Sequence, residues 1–342
     1  MSLDISNPRD TFFNFLFKFY SKGDKIVLLN RKTMEDFMKK LFLFTAIFLV
    51  SIMFLGCKEP GPLDCSTEET YPKGYVFANG VTIKGTESWY PKTKVFISER
   101  TLSIPDLLVC DHEVTRGEYK SLIEIDPSTA VAYDKDGNKL IGDDVLNNPV
   151  DNVSWYDAIV YCNKLSIKEN LSPCYSINDS TNPADWGEIP TSSNETWNAV
   201  TCDFEANGYR LPTEAEWEWL ARVRVGVKYM FSGSFIVDDV AWYKETTNGT
   251  GTRVVKTKDP NDFGIYDMSG NVSELCWDWF GTITASTTVD GNLSGTRRIQ
   301  RGGNFNSDED FCKVSARNNN IPSERNEITG FRVVRNYTRT TK

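Results

Sequence analysis

Three helix starts are written into this chain as capping boxes, and each is followed by only a short apolar stripe. Thr115-Arg116-Gly117-Glu118 precedes Tyr119, Leu122 and Ile123. Ser154-Trp155-Tyr156-Asp157 precedes Ala158, Ile159, Cys162 and Leu165. Thr213-Glu214-Ala215-Glu216 precedes Trp217, Leu220 and Ala221. In each box a hydroxyl accepts from a backbone N–H of the first turn while a carboxylate returns to the cap. The three- and four-residue spacing sets the apolar groups on one face of a helix. Elsewhere the apolar runs are strand-like and brief (residues 95–97, 254–257 and 330–334), with long Asn, Gly and Ser loops between them. A few short helices, many short strands and long loops predict an irregular, loop-rich α+β domain. Nine Trp in a chain with 13% aromatic residues favour the same answer, because each buried indole needs a hydrogen-bond partner that a simple bundle does not offer.

Charge and histidine content narrow the function. A formal net charge of −9 with no basic stripe excludes a nucleic-acid partner. The only histidine, His112, lies between Asp111 and Glu113 and reads as a surface residue. Serine- and cysteine-based triads and poly-histidine metal sites are therefore excluded unless His112 serves alone. Asp134-Lys135-Asp136-Gly137-Asn138 lacks the distal Glu of an EF-hand and reads as a hairpin turn.

The amino-terminal part reads as an address. Residues 1–37 read as an extension outside the domain, ahead of a natural start at Met34 or Met38. Met38-Lys39-Lys40, the uncharged apolar run 41–55 and Gly56-Cys57 compose a secretory signal over residues 38–57. The run is about 15 residues, short of the roughly 20 that span a bilayer. Its Leu-Gly-Cys ending resembles a bacterial lipobox, with Phe54 in place of the usual Leu, and makes Cys57 the expected lipidation site. The expectation is an exported protein held in the cell envelope, at the outer membrane or cell surface, by its lipid. Residues 58–70, with Pro60 and Pro62, read as a tether, and residues 71–342 as one domain, expected to act as a monomer. Seven cysteines remain (Cys65, Cys110, Cys162, Cys174, Cys202, Cys276 and Cys312). The number is odd, so at least one thiol has no partner within the chain.

Ordered motifs then carry a resemblance: Glu113-Val114-Thr115 through Tyr119; Asn148-Pro149-Val150 through Ala158; residues 208–218, from Gly208-Tyr209-Arg210 to Glu218; residues 263–272, ending Gly270-Asn271-Val272; Arg301-Gly302-Gly303; and Gly330-Phe331-Arg332-Val333. Together they resemble the formylglycine-generating-enzyme, or sulfatase-modifying-factor, domain from about residue 74 to 336. The resemblance implies a C-type-lectin-like fold. It also implies a test for catalysis, since the active enzymes carry a copper-binding Cys pair, five residues apart, shortly after Arg-Gly-Gly. Here Ser307 takes the first place and only Cys312 remains. One thiolate does not make a two-coordinate soft site for Cu(I), so no catalytic cofactor is expected. The family's calcium loop resembles Asp267, Gly270, Val272 and Glu274, which implies a structural Ca²⁺ held by hard oxygens.

Residues 304–329, between two fixed-looking motifs, are Asn-rich and polar. They resemble the variable region of proteins diversified by retroelements that mutate adenines in template codons. Residues reachable from an Asn codon by such changes include Asn, Ser, Asp, Phe, Ile and Thr; Glu309 and Lys313 are not reachable. The expected ligand-facing set is Asn304, Phe305, Asn306, Asp308, Asp310, Phe311, Ser315, Asn318, Ile321 and Ser323. Exposed aromatics among short polar side chains suit a paratope, and the Asp308-Glu309-Asp310 run favours a basic or polar partner face. The leading expectation is a non-catalytic, surface-displayed lipoprotein that binds a protein or other surface ligand. An oxidase of the formylglycine-generating kind, another enzyme on this fold, and a structural envelope lipoprotein are the alternatives.

Overall fold

The computed structural model describes residues 71–86, 88–226 and 228–337. The extension, the signal with Cys57, and the tether lie outside the described residues. All three predicted helices form: α1 (Arg116–Ile123), α2 (Trp155–Lys168) and α3 (Glu214–Arg222). Each starts at its predicted cap, and in each the reciprocal box bonds are present. None of the described helices is long and apolar enough to cross a membrane.

The strands are short and scattered over several small sheets. The two that matter for the site are built from β1 (Tyr75–Ala78), β2 (Leu107–Cys110), β3 (Ser273–Trp279), β4 (Arg298–Arg301), β5 (Asn318–Asn320), β6 (Thr329–Gly330) and β7 (Val334–Asn336). One sheet runs β1-β2-β7, so the two ends of the domain meet on either side of β2. The other runs β5-β4-β3-β6, with β4 antiparallel to both neighbours and β6 parallel to β3.

The brief apolar runs fare unevenly. Residues 95–97 form no strand, although Val95 and Phe96 are buried. The strand expected over 254–257 is instead Thr252–Arg253, and the run 330–334 is split between β6 and β7. Asp134 does anchor a turn: its Oδ1 accepts from the N–H groups of Asp136 and Asn138 at 2.9 and 2.8 Å, and Gly137 takes φ +85°. That turn closes a small hairpin in which Tyr133 bridges Lys139.

Helix α3 departs from its amphipathic reading, because all nine of its residues are buried. Its three glutamates go inside with arginines, some near in the chain (Arg210, Arg222) and some far along it (Arg301, Arg317). Glu216 takes a two-pronged bond from Arg210 at 2.6 and 2.7 Å. Glu214 is gripped likewise by Arg317 at 2.6 and 2.7 Å. Glu218 is shared by Arg222, at 2.8 Å, and Arg301. Pairs of this kind do little for net stability, since desolvation offsets their attraction, but removing one partner leaves a buried charge alone. These arginines are therefore scaffold, answering the buried carboxylates of α3, with Arg301 reaching both Glu218 and Glu214. His112 is a further correction to the surface reading. It is buried, with Nδ1 2.5 Å from Asp111 and Nε2 3.2 Å from Glu118.

Candidate ligand-binding face

Residues 304–323 leave the Arg301-Gly302-Gly303 motif, run along the surface and return through β5. Gly302 and Gly303 both take positive φ (+88° and +73°). A side chain at Gly303 would strike the Phe311 carbonyl and Cys312 Sγ, so the turn requires glycine there. Below the segment, Phe231, Val237, Val240, Ala241, Tyr243 and Cys312 form a small apolar cluster of their own. The segment is tied to it by backbone bonds, Val314 N–H to Met230 and Lys244 N–H to Ser307, at 3.0 and 3.1 Å.

The predicted ligand-facing set divides. Asn306, Asp308, Asp310, Phe311, Asn318 and Ile321 are exposed, and Ser315 is half-buried. Asn304, Phe305 and Ser323 are buried, which corrects their assignment. Asn304 donates from Nδ2 to Ser273 Oγ and accepts the Asn306 N–H on Oδ1, both at 3.0 Å, so it shapes the turn. Phe305 is clamped at both ends of its peptide, its N–H on Asn271 and its carbonyl under Thr247 Oγ1. Codon arithmetic carries no information about direction, and these side chains point inward. The acidic run is also less negative than it reads, because Lys244 pairs with Asp308 at 3.0 Å and Lys313 with Asp310.

Between the exposed side chains lies a shallow depression of about 210 Å³, open mouth included. Gln300, Ser307, Phe311, Arg317 and Asn318 are among the residues that line it. Ligand pockets for small molecules commonly reach 300–1,000 Å³ or so, and the enclosed part of this dimple is far smaller, so the region is a face and not a ligand cavity. Sequence reasoning missed Arg317. Its guanidinium bonds Glu214 and the Gly281 carbonyl and lies 5.2 Å from the Phe280 ring centre, with Phe280 itself exposed. The Phe280–Arg317 pair thus frames one side of the face.

Cys312 is a free thiol with no exposure, and burial pushes it up to about 12. Ser307 accepts the Asn304 N–H at 3.1 Å and closes the turn.

The calcium set does not fit its ion. Both Glu274 oxygens are taken, by Arg332 at 2.6 Å each and by Trp217 Nε1 at 2.7 Å. A guanidinium already neutralises that carboxylate. Asp267 Oδ2 accepts the Lys256 N–H at 2.7 Å, and its Oδ1 has no partner among the described residues. Burial pushes Asp267 up to about 6. Gly270 and Val272 are spaced by a different device: the Val272 N–H and the Asn271 amide both donate to wholly buried Glu113, at 2.9 and 2.7 Å. Burial, with Asp267 and Glu274 nearby, holds Glu113 well above the usual carboxylate range. Among the described residues no group of three His, Cys, Asp or Glu side chains is arranged to hold a metal.

This geometry has counterparts. The chaperone protein LppX of Paenibacillus barcinonensis is 33% identical over 271 residues, which cover 73% of this chain and 86% of that protein. The formylglycine-generating enzyme of Thermomonospora curvata is 34% identical over 163 residues, 40% of this chain, and the match spans about half of that enzyme's length. Among solved structures, Treponema denticola variable protein 1 superimposes with a TM-score of 0.67 at 34% identity, over 79% of this chain and 99% of that one. CarF superimposes with a TM-score of 0.58 at 25% identity, over 78% of this chain and 99% of that one. The α+β, loop-rich architecture is the C-type-lectin-like one of these neighbours. Residues 65–337 match the sulfatase-modifying factor enzyme 1-like domain family, and the chain belongs to it.

Proposed function

We propose that this chain is a recognition module, displayed on the cell envelope through a lipidated Cys57, that binds a protein or other surface ligand and catalyses no formylglycine chemistry. One observation carries the reading: along residues 304–323, buried anchors (Asn304, Phe305, Cys312, Val314, Asn320) alternate with exposed side chains (Asn306, Asp310, Phe311, Asn318, Ile321). Such a segment tolerates changes outside while its backbone stays fixed inside. A fixed backbone with variable tips limits the entropy lost on binding. The likeness to a variable protein supports the same reading. Against catalysis stand Ser307 in the first Cys place and a Cys312 thiol sealed in an apolar cluster, where a thiolate is disfavoured.

The test is a library randomised at Asn306, Asp310, Phe311, Asn318 and Ile321, displayed on cells and sorted first for protease resistance. Most members should survive and yield binders to a chosen test protein. Collapse of most members under protease would sink the proposal. A Cys-containing sulfatase-type peptide with copper and oxygen should show no turnover, and turnover abolished by Cys312→Ser would restore the enzyme reading. In the genome, a near-copy of the segment encoding residues 304–329, differing at adenines, should lie beside a reverse-transcriptase gene.

A further inference from the structure

Arg298 differs from the motif arginines. It lies on β4 with 1% of its surface exposed, yet no described carboxylate forms an ion pair with it. Asp278, whose field reaches it, is instead bonded through Oδ2 to the Glu214 N–H at 2.6 Å. Two indoles cover the flat faces of the guanidinium. Its central carbon lies 3.7 Å from the Trp155 ring centre and 3.6 Å from that of Trp279, with Trp277 at 5.1 Å. Stacking of this kind attracts the cation without accepting its hydrogens. Only the edge is left for hydrogen bonds. Nη1 uses it to reach the Trp277 carbonyl at 2.5 Å, while Nε has no acceptor among the described residues. Burial pulls the group down to about 9.

Directly across the β4–β5 ladder, in register with Arg298, stands Asn320, which is 4% exposed. Its Oδ1 accepts the Ile321 N–H at 2.9 Å, which fixes the orientation of the amide. Nδ2 is then a second buried donor with no acceptor among the described residues. Residues in register on neighbouring strands share a face, with Cβ atoms about 5 Å apart. Two donors, one of them charged, are therefore side by side in an apolar setting. A buried water would satisfy hydrogens but leave the cation uncompensated. An anion does both. Burial excludes a large or strongly hydrated ion, and a small, weakly hydrated one enters most readily.

We propose that Arg298 and Asn320 form a halide site, filled by chloride, between β4 and β5. The ion neutralises the stacked guanidinium and accepts from Nε and the Asn320 amide. It thereby pins β5, the strand that bears exposed Asn318 and leads into Ile321. The inference stands apart from the function proposed above, since any ligand or none leaves it unchanged.

The test uses the purified exported chain, melted at constant ionic strength while sodium gluconate is replaced by sodium chloride or bromide. The midpoint should rise by several degrees and saturate. Crystals grown in bromide should show an anomalous peak between Arg298 Nε and Asn320 Nδ2. Asn320→Asp supplies the anion from the chain itself: its midpoint without halide should equal or exceed the wild type's, and its halide response should vanish. A wild-type midpoint indifferent to halide, no bromide peak at that point, or an Asn320→Asp variant that still responds would each overturn the proposal.

Discussion

Phe305 and Phe311 stand six residues apart in one segment, and the split between anchor and tip predicts opposite results for the same truncation. Phe305 is 2% exposed and Phe311 49%. Phe305→Ala should cost about 3–5 kcal/mol, the range for a buried phenylalanine whose cavity closes only partly. The peptide bonds to Asn271 and Thr247 survive this change, so the loss reports the ring alone. Phe311→Ala removes a ring already half in water. Half of the roughly 1.5–3 kcal/mol for full burial is about 1 kcal/mol. For a domain of this size about 2–4 °C accompanies each kcal/mol. The expected drops are therefore about 6–20 °C for Phe305→Ala and at most about 4 °C for Phe311→Ala. Thermal unfolding followed by tryptophan fluorescence measures both. Equal drops would refute the division of this segment into scaffold and contact surface.

Glu274→Gln should destabilise the fold by about 3–5 kcal/mol, because it strands Arg332 in the core; urea titration reads the loss, and a change below 1 kcal/mol or so would show the pair to be dispensable. Chelation with EDTA, or millimolar calcium, should leave the wild-type melting temperature in place, and a clear rise with calcium would mean that Glu274 gives up Arg332 for the metal. For His112, burial opposes the charge, but Cys110, Asp111 and Glu118 outweigh it and raise the imidazole to about 12. Its contribution is complete below the unfolded value near 6.5 and declines as pH climbs toward 12. The stability gap between wild type and His112→Gln should thus shrink by about 2–3 kcal/mol from pH 6.5 to 8.5. A gap independent of pH in that window would contradict the ion-paired imidazolium.

What was legible in the sequence follows from distance along the chain. A capping box is closed by residues three apart, so Thr115, Ser154 and Thr213 announced their helices without reference to the rest of the fold. The ion pairs inside α3 are not local. Glu214 and Glu218 meet Arg317 and Arg301 across separations of 103 and 83 residues, and nothing within the Glu-Ala-Glu-Trp-Glu run shows that its carboxylates go inside. The calcium set was hard to read for the same reason. The spacing of Asp267, Gly270, Val272 and Glu274 is local, but the cation that answers Glu274 is Arg332, 58 residues further on. The face itself was legible as a segment and not as a surface. Composition marked residues 304–329 as unusual, but only packing against Thr247, Asn271 and Ser273 decides that Asn304 and Phe305 turn inward while Asn306 and Phe311 turn out. The proposed recognition module depends on that distinction. Residues whose partners are distant and buried hold the backbone, and those without such partners are the positions the proposal leaves free to vary.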